Sequence, residues 1–277
     1  MWGDTDRTMF SILGTGGSRG GPIGGGAVRG STREIRRLID EKAAELLEAN
    51  VDDIVIEAGN IHVAGVAARG ISYAEVAAAA ATEAGSSGSS GEGEPAGGWL
   101  RRKSSGESAV FESEFSYQGA DDGGWRCATH ACVVEVDLAT GQVAIPRYLV
   151  VEDCGPIINP AIVDGQIRGG VAQAVGAVLY ENTRYDDDAN LQASTYLDYL
   201  IPTAMEIPDI EVHHLETLSP GENDYRGVGE GGMIGGPAAI TNAIEDALAP
   251  LGVRVTEQYL PPTRILELAG VIDPERR

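Results

Sequence analysis

The sequence predicts an α+β fold of mixed sheets, hairpins and packed helices. Three observations carry that expectation. An alternating run from Ala131 to Leu138, a turn at Ala139-Thr-Gly141 and a second run from Gln142 to Val151 read as a β-hairpin. Apolar residues recur at helical spacing in several longer segments. Strands and helices do not alternate regularly along the chain, so a doubly wound parallel sheet is not indicated.

Taken in order, residues 1–30 are rich in glycine, notably from Gly14 to Gly26. A helix follows near residues 31–49, where Ser31 or Thr32 would cap it. Ile35, Leu38, Ile39, Ala43, Leu46 and Leu47 give it an apolar stripe. Short strands at 54–58 and 61–63 flank the turn Gly59-Asn60. A second helix spans Ser72 to Ala84. Residues 85–106 are low in complexity and read as a surface insertion or linker. This divides the chain into 1–84, 85–106 and 107–277. A strand is expected at 109–118, before the hairpin. Pro160 then suits the first turn of a helix reaching about Tyr180. Its small residues, Gly165, Gly169, Gly170, Ala172, Ala174 and Gly176, imply close packing against a neighbour. A strand at Ile210–Leu215, a helix to about Leu251 and a last helix from Pro261 to Leu268 complete the chain.

Composition excludes several classes. The chain has 277 residues and a net charge of −22, which argues against nucleic-acid or anionic-membrane surfaces. Its lysines are Lys42 and Lys103, so nearly all its positive charge is arginine. Cys127, Cys132 and Cys154 make no disulfide framework, and no signal peptide or membrane-length apolar run is present. A cytoplasmic protein is expected. Cys127, His130 and Cys132 do not have zinc-site spacing, and no protein-held metal is expected. His213 and His214 lie on a strand and point to opposite faces.

The most informative run is Tyr225 to Leu248. It sets one carboxylate, Glu230, among glycines at the entry to an apolar helix. Bare backbone admits a bulky anionic cofactor, and a helix N-terminus offers N–H groups and positive dipole. A glycine-rich turn with Glu230 as a first-turn helix acid is the competing reading. Gly16-Gly-Ser-Arg19 offers N–H groups, a hydroxyl and a guanidinium in one stretch, suited either to a phosphate or to a plain loop. It is neither a P-loop nor a dinucleotide fingerprint. In the segment Glu152 to Gly170, Asp153 and Asn159 would cap turns and Gln166 would sit on a helix surface, unless they serve a ligand.

Together these segments resemble the large subunit of molybdenum hydroxylases, the xanthine dehydrogenase, aldehyde oxidoreductase and aerobic carbon monoxide dehydrogenase family. Gly227-Val-Gly-Glu-Gly-Gly232 is similar to its cofactor-and-base segment. Gly3-Asp-Thr5, Gly17-Ser-Arg19 and Gly25-Gly-Ala27 are similar to the stretch that wraps the pterin dinucleotide. Asp153-Cys-Gly155, Ile158-Asn-Pro160 and Gly165-Gln-Ile167 match a third segment. Gly16 departs from the family, where a tyrosine is common.

The resemblance implies the C-terminal molybdopterin-binding domain of that subunit. Glu230 would be the general base. Asp4, Thr5, Gly17, Ser18, Arg19, Asp153, Cys154, Asn159, Gln166, Gly227, Val228 and Gly229 would bind a molybdenum–molybdopterin cytosine dinucleotide. The implied reaction hydroxylates an aldehyde, N-heterocycle or similar small molecule with water as oxygen source. Implied partners are a chain carrying the N-terminal half of the large subunit, a [2Fe–2S] subunit and an FAD subunit. The abrupt start reads as a split subunit or a gene fragment. The alternatives are a non-catalytic scaffold that needs a partner chain, and a phosphate-binding module built on residues 14–26 alone.

Overall fold

The structure, a computed structural model, describes residues 14–84, 98–99, 111, 113–115, 117, 126–218 and 225–273. Asp4 and Thr5, most of the linker segment and most of the 109–118 strand lie outside the described residues. The chain divides into two compact units: residues 20–121, and residues 1–19 with 122–277.

The first unit opens with α1, Gly25–Leu47. This helix begins well before the expected start at residue 31, so Ser31 and Thr32 lie inside it and cap nothing. The cause is packing. A Cβ at Gly26 would stand 2.5 Å from the ring of Tyr117, and one at Gly30 would stand 2.1 Å from that of Phe115. Gly26 and Gly30, which read as loop, are instead the helical positions where aromatic rings need bare backbone. Three short antiparallel strands follow, β1 (Ile54–Glu57), β2 (Asn60–Val63) and β3 (Ile71–Ser72), then α2 (Tyr73–Ala84). Ser72 begins that helix with a capping box: its hydroxyl and N–H both bond the Glu75 carboxylate. Two further strands, β4 (Gly98–Trp99) and β5 (Glu114–Phe115), pair antiparallel. Ala43, Ala44, Ile54, Ile61 and Val76 form this unit's core.

The second unit is built on a three-stranded sheet in the order β6 (Cys127–Val136), β7 (Val143–Asp153), β8 (Ile210–Leu215). The expected hairpin is present as β6 and β7, with Gly141 at φ +74° in its turn. β8 then adds parallel to β7, with Tyr148 opposite Ile210 and Asp153 opposite Leu215. The crossover between them carries α3, Pro160–Val175. The remaining helices are α4 (Gly231–Leu248) and α5 (Pro262–Leu268).

The core joins Tyr148 and Val150 of β7, Val163, Ile167, Val171 and Ala174 of α3, and Ile240, Ile244 and Leu248 of α4. Each large aliphatic side chain buried there stabilises the fold by about 2 kcal/mol. α3 and α4 approach until backbone meets backbone. Gly170 packs on Gly232 and Met233, and Gly236 packs on Ala174. Not every small residue of α3 serves this contact, however. Gly165 and Gly169 face open space, because the contact occupies one side of the helix only.

Candidate functional site

Three chain segments meet at the head of α4, and all belong to the same compact unit. The first is the loop at 14–19. The second is the end of β7 with the start of α3. The third is the run 225–230.

Asp153, at the end of β7, is a buried anchor. Its Oδ1 accepts from the Gly155 N–H at 3.1 Å, the Thr217 N–H at 3.2 Å and Arg226 Nη1 at 3.1 Å. Burial alone would raise its carboxyl, but the Thr217, Gly155 and Arg226 groups more than offset this and hold it below the ordinary range. Cys154 is buried, and its carbonyl accepts from the Arg226 N–H at 3.1 Å. Burial and the nearby Glu152 carboxylate push its thiol pKa up. These two residues therefore fix where the 225–230 run leaves the sheet. Gly155 turns the chain at φ +69°, which favours glycine.

The run itself is held by side chains from three directions. Arg126 donates Nη1 to the Gly227 carbonyl at 2.6 Å. Gln166, on the exposed side of α3, donates Nε2 to the Gly229 carbonyl at 3.3 Å. Val228 packs on the core. The Glu230 N–H donates to Ser18 Oγ at 2.9 Å. Gly227 has to be bare, because a Cβ there would stand 2.1 Å from the Ser18 carbonyl oxygen.

Glu230 is the N-cap residue of α4, yet its side chain caps nothing. The carboxylate instead reaches out to the first loop. Oε1 accepts from the Gly17 N–H at 3.2 Å, and Oε2 lies 3.8 Å from Arg126 Nη2. The side chain remains 48% exposed. The loop that meets it is strained: Gly17 has φ +71°, and Ser18, which is not a glycine, has φ +56°. Arg19 donates Nε to the Gly14 carbonyl at 2.8 Å.

Of the expected site residues, Gly17, Ser18, Gln166, Gly227, Gly229 and Glu230 thus come together. Asn159 stands apart in role. Its Oδ1 caps α3, accepting from the N–H groups of Ala161 and Ile162 at 3.1 and 3.3 Å. Arg126 and Glu152 are absent from the expected set. Neither carries a sequence signal, since each is defined by what lies beside it across the sheet.

Glu152 is fully buried, and neither carboxyl oxygen has a hydrogen-bond partner among the described residues. Burial pushes its pKa up to about 7; Arg126 opposes this and Asp153 adds to it. The folded value exceeds the unfolded one, so the acid form stabilises the fold. That stabilisation is fully present below about pH 4.5 and is lost as pH rises through about 7. Glu152→Gln, which stays neutral, is expected to raise the melting temperature at pH 8 relative to the native chain. The gain is on the order of 3 kcal/mol. At pH 4.5 the two should melt together, and equal melting at both pH values would refute the effect.

The chain is similar to proteins of known family. Residues 1–208 match the family described as molybdopterin cofactor-binding domain. Nicotine 6-hydroxylase large subunit of Paenarthrobacter nicotinovorans is 38% identical over 265 residues, covering 94% of this chain and 30% of that protein. Carbon monoxide dehydrogenase large chain of Hydrogenophaga pseudoflava is 32% identical, covering 91% and 29%. Among solved structures, quinoline 2-oxidoreductase from Pseudomonas putida 86 superposes with TM-score 0.75 at 38% identity, covering 91% of this chain and 30% of that one. The chain thus spans about 30% of the length of these relatives. It belongs to the molybdopterin cofactor-binding domain family. Within that family it corresponds to the molybdopterin-binding part of a molybdenum hydroxylase large subunit.

The residues present fit such a cofactor. Gly14, Gly16 and Gly17 face open space, so a flat or branched anion can reach the backbone there. Gln166 uses only its amide nitrogen among the described residues, leaving the oxygen to accept from a ligand. Among the described residues, no helix is long and apolar enough to cross a membrane.

Proposed function

We propose that this chain binds a molybdenum–molybdopterin cofactor, in its cytosine dinucleotide form, and supplies the general base of a hydroxylase that uses water as its oxygen source. The observation that carries this reading is the Glu230 carboxylate. It is half exposed, held by the Gly17 N–H and flanked by Arg126 and Gln166. The substrate class we infer is an aromatic N-heterocycle. Two relatives at 38% identity are named for nicotine and quinoline. Hydroxylation of a ring carbon by water releases two electrons and two protons, and the electrons would leave through [2Fe–2S] and FAD subunits. A further chain would supply the remainder of the large subunit.

When bound, the cofactor supplies the oxygen-transfer and two-electron chemistry. This chain's residues do the rest. Gly17, Ser18, Gln166 and the 227–229 backbone would hold the cofactor, with Arg19 near its phosphates. Asp153 and Cys154 keep the run in register from beneath. Glu230 Oε1 is engaged by Gly17, which leaves Oε2, beside Arg126, as the oxygen that would take up the proton.

The test is metal and pterin analysis of the complex purified from its native host. Near-stoichiometric molybdenum with a releasable cytosine dinucleotide supports the reading. A stable complex lacking molybdenum overturns it in favour of a non-catalytic scaffold.

A further inference from the structure

Among the described residues, one guanidinium lies beside two carboxyl groups at the head of α4. Arg126 enters β6, and its side chain is only 15% exposed. In the β6–β7 register Ala128 stands opposite Glu152, and Arg126 lies two residues before Ala128. Arg126 and Glu152 are therefore diagonal neighbours on one face of the sheet. That face meets the start of α4, where a Cβ on Gly231 would stand 2.9 Å from Glu152 Oε2. Glu230 is the adjoining residue. The guanidinium spans the gap: Nη1 holds the Gly227 carbonyl, and Nη2 lies 3.8 Å from Glu230 Oε2.

We propose that Arg126 is a positioning residue for Glu230, and that buried Glu152 is a second carboxyl competing for the same guanidinium. The proposal rests on Glu230 as the base. While Glu152 is neutral, the whole of Arg126 serves the Gly227–Glu230 run. When Glu152 ionises, an unpartnered buried charge draws the guanidinium inward, because isolation in a low-dielectric interior is costly. Glu230 is then held less firmly. Among the described residues, the titratable and charged groups near this point are Arg126 ahead of β6, His130 on β6, whose ring packs on Gly235 of α4 and whose pKa burial lowers, Cys154 just past β7, and His214 opposite Glu152 on β8; Asp153, next to Glu152 on β7, turns to the other face. α3 contributes Asp164, which His214 contacts at 3.3 Å, and α4 contributes Glu230. Asp153 pairs with Arg226, and among the described residues Arg126 is the cation that flanks Glu230 and acts electrostatically on Glu152.

The experiment compares Arg126→Gln, Arg126→Lys and Glu152→Gln in the complete native complex. Molybdenum content, KM and kcat are measured from mildly acid to mildly alkaline pH. Arg126→Gln should lower kcat by on the order of a hundredfold, as a loosened base would, with molybdenum content and KM within about twofold of native. Arg126→Lys keeps the charge and should recover part of the loss. In the native complex kcat should decline as pH rises through about 7, and Glu152→Gln should remove that decline. Unchanged kcat in Arg126→Gln, loss of molybdenum from it, or persistence of the alkaline decline in Glu152→Gln would overturn the proposal. A native complex without molybdenum, or an active Glu230→Gln variant, would instead remove the base assignment on which it stands.

Discussion

Glu230→Gln is expected to abolish turnover in the assembled complex while leaving molybdenum in place. Gln keeps the length and the acceptor oxygen that bonds the Gly17 N–H, so the two loops stay joined. It cannot take up a proton at the position of Oε2. General-base catalysis contributes on the order of 10² to 10⁴ in rate, and the loss should fall in that range or beyond. The fold is not expected to suffer, because the side chain is half exposed and caps no helix. Measuring kcat beside molybdenum content separates the outcomes. Full activity with full metal would remove Glu230 from the chemistry. Loss of both would make it a cofactor-holding residue.

The second large effect is structural. Gly232→Ala places a methyl 2.4 Å from the Ile167 carbonyl oxygen and 3.0 Å from the Gly170 Cα. Both are backbone atoms, which cannot rotate aside as a side chain would. α3 and α4 must separate, and overpacking of this kind costs about 3 kcal/mol. The melting temperature should fall by roughly 10 °C. Gly165→Ala, on the open side of α3, is the matched control. It should stabilise by up to about 1 kcal/mol, since alanine favours helix. Equal melting of the two variants would disprove the tight contact. Because Glu230 stands at the head of α4, Gly232→Ala should also displace the proposed base, and under the proposed function turnover should be lost well below the melting point.

Some elements were legible because their signals are local. The β6–β7 hairpin follows from alternation around Gly141, and the starts of α2 and α3 follow from Ser72, Asn159 and Pro160. The Gly227–Glu230 run announced itself by setting an acid among glycines. Other features depend on distant partners. Residues 25–30 read as loop, yet they are helical, and Gly26 and Gly30 there pack against Tyr117 and Phe115. Nothing in β8 says that it will pair parallel to β7. Gly165 and Gly169 resemble packing glycines in sequence, but only the position of α4 decides which side of α3 is filled. Arg126 lies 101 residues from the Gly227 carbonyl that it holds, so no local pattern could mark it. Asn159 illustrates the opposite case: the ordinary capping role of its residue type is the one the structure shows.

The contact between Gly17 and Glu230 joins residues 213 positions apart. Contacts of such sequence separation lower the folding rate, because the loop must close before the contact is gained. On the ribosome, the loop at 14–19 emerges long before its counterpart has been synthesised. Until then the loop lacks both the Glu230 carboxylate and the Glu230 N–H that hold it in the folded chain. A cofactor seated between these segments, as proposed above, can be gripped by both only once residues 225–230 have been made.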